Sequence, residues 1–489
     1  MTPPFSFDNS YAERLEGFYV DWEAAKAPAP ELLALNRPLA NELGIDLSSL
    51  GDSAIANLFS GNEIPEGAHP LAQVYAGHQF GGFSPQLGDG RALLLGEVID
   101  CHGLRKDIQL KGSGSTPFSR GGDGKAAIGP VLREYLVAEA MHALGVPTTR
   151  ALAAVKTGEQ VWRELPLPGA ILTRVAASHV RVGTFQFFAS RGESDKVQQL
   201  VDYVVWRHYP ACANHESPAL GLLEAVCEQQ AKLVAHWMTL GFIHGVMNTD
   251  NMTLSGETID YGPCAFMDHY DRSTVFSSID EQGRYAYGNQ PALAQWNLAR
   301  FAECLIELID SNPERAVALA TDVINAFPGQ YERHWLSLMR NKLGLADEVA
   351  GDLELADDFL KTMEGQKVDF TLAFRHLADV LRGDEQRLRG LYEATTLLDP
   401  WLVRWKERIK STGVNAGAVV AAMDRSNPLY IPRNHKVEEA LSAAEKGDLA
   451  LFRELHAVLQ SPFSEREGLS SYAESDPEKG AGFKTFCGT

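Results

Sequence analysis

The sequence predicts an α+β protein with a small β-rich lobe, a larger helical lobe and a helical C-terminal extension. Strand-like runs crowd into residues 92–175, and almost everything after about residue 290 has the three-and-four spacing of amphipathic helix. Between them a long helical pattern ends at Gly241 and gives way to a Gly-, Asn- and Asp-rich stretch over 244–263. Strands followed by helices, rather than alternating with them, favour segregated layers over a doubly wound sheet.

Each element has its own signal. Up to about residue 70 short helical stretches are broken by Pro-rich points such as 27–30. A Gly-rich aromatic stretch follows over 75–83, then the loop Gly88-Asp89-Gly90-Arg91. Apolar alternation marks strands at 92–98, 107–111, 151–155 and 170–175. Ile128, Val131, Leu132, Tyr135 and Leu136 set a helix over 128–145, with Gly145 and Pro147 as its stop. Residues 223–240 form another. No internal repeat or low-complexity linker is visible.

Composition excludes several classes. The 489 residues carry 44 Lys plus Arg against 64 Asp plus Glu, a net charge of −20. That acidity repels polyanions, so neither nucleic acid nor an anionic membrane is an expected partner. No run approaches the roughly 20 apolar residues a membrane span needs. The N-terminus lacks a basic start followed by an apolar run, and a cytoplasmic location is expected. Six cysteines, at 101, 212, 227, 264, 304 and 487, show neither CxxC nor regular spacing, which argues against a disulfide framework or a zinc site.

The chemistry lies in a constellation. In Asp107-Ile-Gln-Leu-Lys111-Gly112 the alternation closes on a lysine, and on a strand Leu110 and Lys111 face opposite sides. Downstream, Glu134 and Glu139 flank the apolar face of the 128–145 helix, and either fits as partner of Lys111. A strand lysine paired with a helix glutamate positions phosphates in protein kinases. Loops 88–91 and 112–124 bracket the lysine with backbone N–H groups suited to phosphate oxygens; no Walker A pattern is present. Past Gly241, a turn presents Asn248, Asp250 and Asn251, and a short apolar run leads to Asp260-Tyr261-Gly262. Asn251 and Asp260 match kinase metal ligands in order and role, leaving Asp250 to act as base or to orient the nucleophile. Arg174 and Arg181 suit phosphate contacts. For His179 and His244 a satisfied structural histidine is preferred to a catalytic one. The expected organisation is an N-terminal extension (1–70), a kinase-like N-lobe (71–165), a kinase-like C-lobe (166–340) and a helical C-terminal region with a Cys-containing tail (341–489).

Together these segments resemble the selenoprotein O family, protein adenylyltransferases with a pseudokinase fold. The carriers are YAGHQFGGFSPQLGDGRA (75–92), QLKGSGSTPFSRGGDGKA (109–126), LREYLVAEAMHALGVPTTRAL (132–152), GFIHGVMNTDNM (241–252), IDYGPCAFMD (259–268), NPLYIPRNH (427–435) and Phe486-Cys487. The resemblance implies transfer of AMP from ATP, bound flipped relative to a kinase, to Ser, Thr or Tyr hydroxyls of target proteins, with release of pyrophosphate. It further implies that Lys111 contacts phosphate and pairs with Glu134. Gly88, Gly90, Arg91, Asp123, Gly124, Arg174, Arg181 and Asp260 line the ATP site. Asn251 and Asp260 hold Mg2+ or Mn2+, and Asp250 is the proton acceptor. The chain departs from a kinase in lacking the His-Arg-Asp triplet, in whose place stand His244-Gly245 and a later Asp250, and in reading Asp-Tyr-Gly for Asp-Phe-Gly. Some family members carry selenocysteine near the C-terminus, where this chain has Cys487. A reversible Cys264–Cys487 disulfide tying the Gly-bearing tail over the site is the corresponding expectation. The competing readings are an ATP-dependent phosphotransferase and a nucleotide-binding pseudokinase scaffold.

Overall fold

The computed structural model describes residues 5–476 and 483–485. Its strands, in chain order, are β1 (Tyr19–Asp21), β2 (Glu31–Leu35), β3 (Leu71–Gln73), β4 (Gly77–Gln79), β5 (Gly82–Ser84), β6 (Ala92–Ile99), β7 (Arg105–Lys111), β8 (Ala126–Ala127), β9 (Arg150–Trp162), β10 (Pro166–Ala176), β11 (Phe242–Ile243) and β12 (Ala265–Phe266). Eight of them form one antiparallel sheet in the order β1-β3-β6-β7-β10-β9-β2, with β8 added to β10. The fold is therefore mixed, an antiparallel sheet with many helices. Its outer strands β1 and β2 come from the first 70 residues, and the turn between β9 and β10 lies at 163–165.

Period-two alternation explains how the sheet is covered. On β7, Ile108 and Leu110 point into a core with Leu39, Ile55 and Phe59 from the N-terminal segment. Asp107, Gln109 and Lys111 take the other face, where they meet charged partners. The Ile128–Ala143 helix packs Leu132, Leu136 and Ala140 against Ala151, Ala154 and Leu172. Its far side is covered by Val437, Leu441, Phe452 and Leu455 from the C-terminal helices Asn434–Glu445 and Ala450–Leu459. The C-terminal region thus clamps the helix that carries Glu134.

The helical layer centres on Pro218–Leu240, which packs against Gln290–Ile309 and Pro313–Leu343. Pro218 stands at its first turn and the Ser217 hydroxyl accepts from the N–H of Leu220, a start that satisfies orphan donors. Immediately after Gly241, β11 pairs with β12. This two-stranded clasp closes the base of the loop 244–264 and holds its polar residues under the sheet. Among the described residues no helix is long and apolar enough to cross a membrane.

Candidate functional site

Strand register brings the first charges together. Lys111 ends β7 opposite Leu172 of β10, and two residues earlier Gln109 stands opposite Arg174. The Gln109 carbonyl oxygen accepts from Arg174 Nε at 3.2 Å and from Nη2 at 2.6 Å, which aims the rest of the guanidinium across the sheet. There Arg174 Nη1 reaches Asp260 Oδ1 at 2.6 Å and Glu134 Oε1 at 3.2 Å. Lys111 Nζ donates to Glu134 Oε2 and to Asp260 Oδ1, both at 2.6 Å.

Arg181 arrives by a second route. Residues 180–182 run beside 252–254, with the Val182 N–H on Met252 O and the Leu254 N–H on Val180 O. From there Arg181 Nη1 donates to the Asp250 carbonyl at 2.8 Å and to Asp260 Oδ2 at 3.2 Å, and the guanidinium lies over the Tyr75 ring. Asp260 is held at φ +62°, a left-handed conformation that costs a non-glycine residue energy and that functional sites tend to retain.

Three cations therefore converge on one carboxylate. Burial works to raise the Asp260 pKa, but Lys111, Arg174 and Arg181 outweigh it and hold the group well below the usual carboxylate range. Asp250 behaves oppositely. Burial pushes it up to about 6, against the opposing pull of its own backbone N–H, Arg181 and Gln79. Two carboxylates in one cleft are thus driven apart, one firmly ionised and one poised near neutrality.

All the residues singled out as the ATP, metal and proton-acceptor set line one cavity of about 1060 Å³: Gly88, Gly90, Arg91, Lys111, Asp123, Gly124, Glu134, Arg174, Arg181, Asp250, Asn251 and Asp260. The two Gly-rich loops pack on each other, the Thr116 hydroxyl donating to the carbonyl of Asp89 at 2.7 Å. Gly124 has φ +66°, and a Cβ there would lie 2.1 Å from the carbonyl oxygen of Gly114, so no other residue fits that crossing. Asp123 takes both Nη groups of Arg163, at 3.0 and 3.2 Å.

The remaining candidates fall elsewhere. Glu139 faces the opposite way from Glu134 and holds Arg150 through two bonds of 2.8 Å, with Asn36 at 2.7 Å. His179 is buried on Asp107 at 2.8 Å, and burial lowers it to about 4. His244 is buried with Nε2 on the carbonyl of Ile259. Both histidines have structural partners and lie outside the cavity lining. Cys264 is buried, and Cys487 lies outside the described residues. The segment 483–485 runs along 275–278: the Thr485 N–H donates to Phe276 O at 2.8 Å, and its hydroxyl donates to Pro263 O at 2.6 Å.

A family model described as "Protein adenylyltransferase SelO" matches residues 4–460. The chain belongs to this family. It is 60% identical over 487 residues to the protein nucleotidyltransferase YdiU of Cereibacter sphaeroides, covering 99% of this chain and 100% of the relative. It is 59% identical over 465 residues to the protein of that name from Chromobacterium violaceum, covering 94% and 97%. For the counterpart from Rhizobium leguminosarum bv. trifolii the identity is 56% over 489 residues, covering 99% and 97%. The chain is accordingly a nucleotidyltransferase, as the motifs indicated.

Several residues of this site were not singled out from the sequence. Gln109 orients Arg174, Asp89 accepts from Gln109 Nε2 at 3.3 Å, and Gln79 bonds Asp250 at 3.1 Å. The alternation of β7 places Gln109 on the face of Lys111, which was a usable signal. Nothing local in the sequence links Gln79 to a residue 171 positions later.

Proposed function

We propose that this protein transfers AMP from ATP to Ser, Thr or Tyr hydroxyls of other proteins and releases pyrophosphate, on a bilobal protein-kinase-like scaffold. The observation that carries this is the convergence of Lys111, Arg174 and Arg181 on Asp260 beside Asp250, a carboxylate whose proton affinity burial raises. Three buried or half-buried cations are a receptor for a polyphosphate. The Asp260 carboxylate contacts all three of them.

The acceptor oxygen attacks the α-phosphorus while its proton passes to Asp250. The bond from that phosphorus to the bridging oxygen breaks, and pyrophosphate leaves with the electron pair. Lys111, fixed by Glu134, and the two arginines balance the charge on the phosphate oxygens. Asn251 and Asp260 suit a hard divalent cation, Mg2+ or Mn2+. Asn251 Nδ2 is committed to the carbonyl of Val246 at 3.0 Å, which leaves its amide oxygen as the ligand atom. Among the described residues no three His, Cys, Asp or Glu side chains gather to hold a metal alone. A site with so few protein ligands fits an ion that keeps waters and substrate phosphates. When bound, the ion would supply Lewis-acid neutralisation of the phosphates.

Two outcomes follow. Lys111→Ala should weaken ATP by about 1.5–3 kcal/mol and leave adenosine nearly unaffected, as read by calorimetric titration; equal weakening of both would make Lys111 structural. The pH profile of kcat/KM should fall on the acid side as pH drops through about 6, because a protonated Asp250 accepts no proton. A profile flat from about pH 5 to 7 would remove Asp250 from that role. The reaction itself is tested with ATP labelled at the α- or the γ-phosphate. Label from the α position alone on the acceptor protein supports AMP transfer; label from the γ position alone would make the enzyme a phosphotransferase.

A further inference from the structure

Hairpin β4–β5 stands apart from the main sheet and pairs only with itself among the described strands. It lies across the turn that carries Asp250 and grips three consecutive residues of it. The His78 N–H donates to the Thr249 hydroxyl at 2.7 Å. The Gln79 side-chain amide donates to Asp250 Oδ2 at 3.1 Å. The Phe80 N–H donates to Asn248 Oδ1 at 3.2 Å and to the Tyr285 hydroxyl at 3.1 Å. Tyr285 in turn donates to Asn248 Oδ1 at 2.6 Å. Behind them the Thr249 hydroxyl donates to Gln186 Oε1 at 2.6 Å, and Gln186 Nε2 meets His78 Nδ1 at 2.8 Å. Hairpin and turn are locked as one body.

The two oxygens of Asp250 are treated differently. Oδ1 is buried with no hydrogen-bond partner. It is walled in by Gly77, where a Cβ would come within 2.5 Å of it. Oδ2 is left as the oxygen for an incoming hydroxyl, and a carboxylate oxygen bonded once can accept again. Apart from the residue's own backbone N–H, the Gln79 amide is the side-chain donor to this carboxylate, and it sets the carboxylate's rotation. Asp250, Gln79 and Phe80 line the same cavity as the phosphate-binding cations.

The geometry points to Gln79 as a positioning residue for AMP transfer, its amide holding Asp250 so that Oδ2 faces the acceptor hydroxyl. Hairpin β4–β5 is then the acceptor-side wall of the cleft. This rests on the reading of Asp250 as proton acceptor.

The test uses the full chain with α-labelled ATP and a protein acceptor. Gln79→Met keeps the length and loses the donor; Gln79→Glu keeps the shape and turns a carboxylate toward Asp250. Gln79→Met should lower kcat about 10- to 100-fold, with KM for ATP, ATP affinity and Tm unchanged, and Gln79→Glu should lower it further. A merely structural role predicts the reverse order, because the isosteric glutamate would be tolerated best. Gly77→Ala, which crowds Oδ1 from the other side, should also lose kcat and keep ATP affinity. Full-rate Gln79→Met, glutamate outperforming methionine, or a rate loss tracking a fall in Tm would each overturn the role of Gln79. An unlabelled acceptor with the wild-type enzyme would instead overturn the AMP-transfer reading itself, and the inference with it.

Discussion

Asp260→Asn loses AMP transfer by about 10³-fold while ATP binding is retained or tightened. Asp260 balances Lys111 at 2.6 Å, Arg174 at 2.6 Å and Arg181 at 3.2 Å. An amide of the same shape leaves those cations uncompensated and open to the phosphates, so affinity for ATP does not suffer. The carboxylate that would hold the divalent cation is gone, so the chemical step does. Single-turnover transfer and calorimetric ATP binding, measured side by side, separate the two. Near-wild-type turnover with Mg2+ or Mn2+ would remove Asp260 from the metal site. Parallel loss of binding and turnover would mean that the carboxylate builds the cleft rather than serving the reaction.

Arg174→Met destabilises the fold by about 3–5 kcal/mol, the range for breaking a buried ion pair by removing one partner. Its side chain is 2% exposed and joins Glu134, Asp260 and Gln109 across the sheet. Burial acts to discharge it, but Asp260 and Glu134 outweigh that and keep it charged. Methionine fills the volume and satisfies none of the three partners. Arg174→Lys keeps the charge without the fork that reaches Gln109, so its loss is smaller. Denaturant unfolding reads both; a Met variant within about 1 kcal/mol of wild type would show that the cluster does not hold the sheet to the Asp260 loop.

Much of this architecture could be read from the chain because its signals are local. The 128–145 expectation became the Ile128–Ala143 helix, since apolar spacing and Gly145 are both nearby cues. Lys111 closes β7 as the alternation required. Strand β9 runs on to Trp162 rather than stopping near 155, because Lys156, Gly158 and Glu159 disguise a half-exposed edge as a loop. Strands β1 and β3 have three residues each, too few for a period to show. Periodicity left Glu134 and Glu139 equivalent; what separates them is Arg150 and Asn36 gathered around Glu139, which only the folded chain reveals. Register explains the remaining gaps. Gln109 meets Arg174 across 65 positions and Gln79 meets Asp250 across 171, and no local rule connects either pair. The expected Cys264–Cys487 pair stays an expectation, since Cys487 lies outside the described residues.

In the proposed reaction a hydroxyl oxygen, with its proton taken by Asp250, ends bonded to the α-phosphorus of ATP. The most direct measurement is a mass spectrum of an acceptor protein incubated with ATP, Mg2+ or Mn2+ and the wild-type chain, with fragmentation to locate the modified residue. The expected result is a gain of AMP on a Ser, Thr or Tyr side chain, absent with Asp250→Asn. A gain of phosphate instead, or AMP addition undiminished in Asp250→Asn, would contradict it.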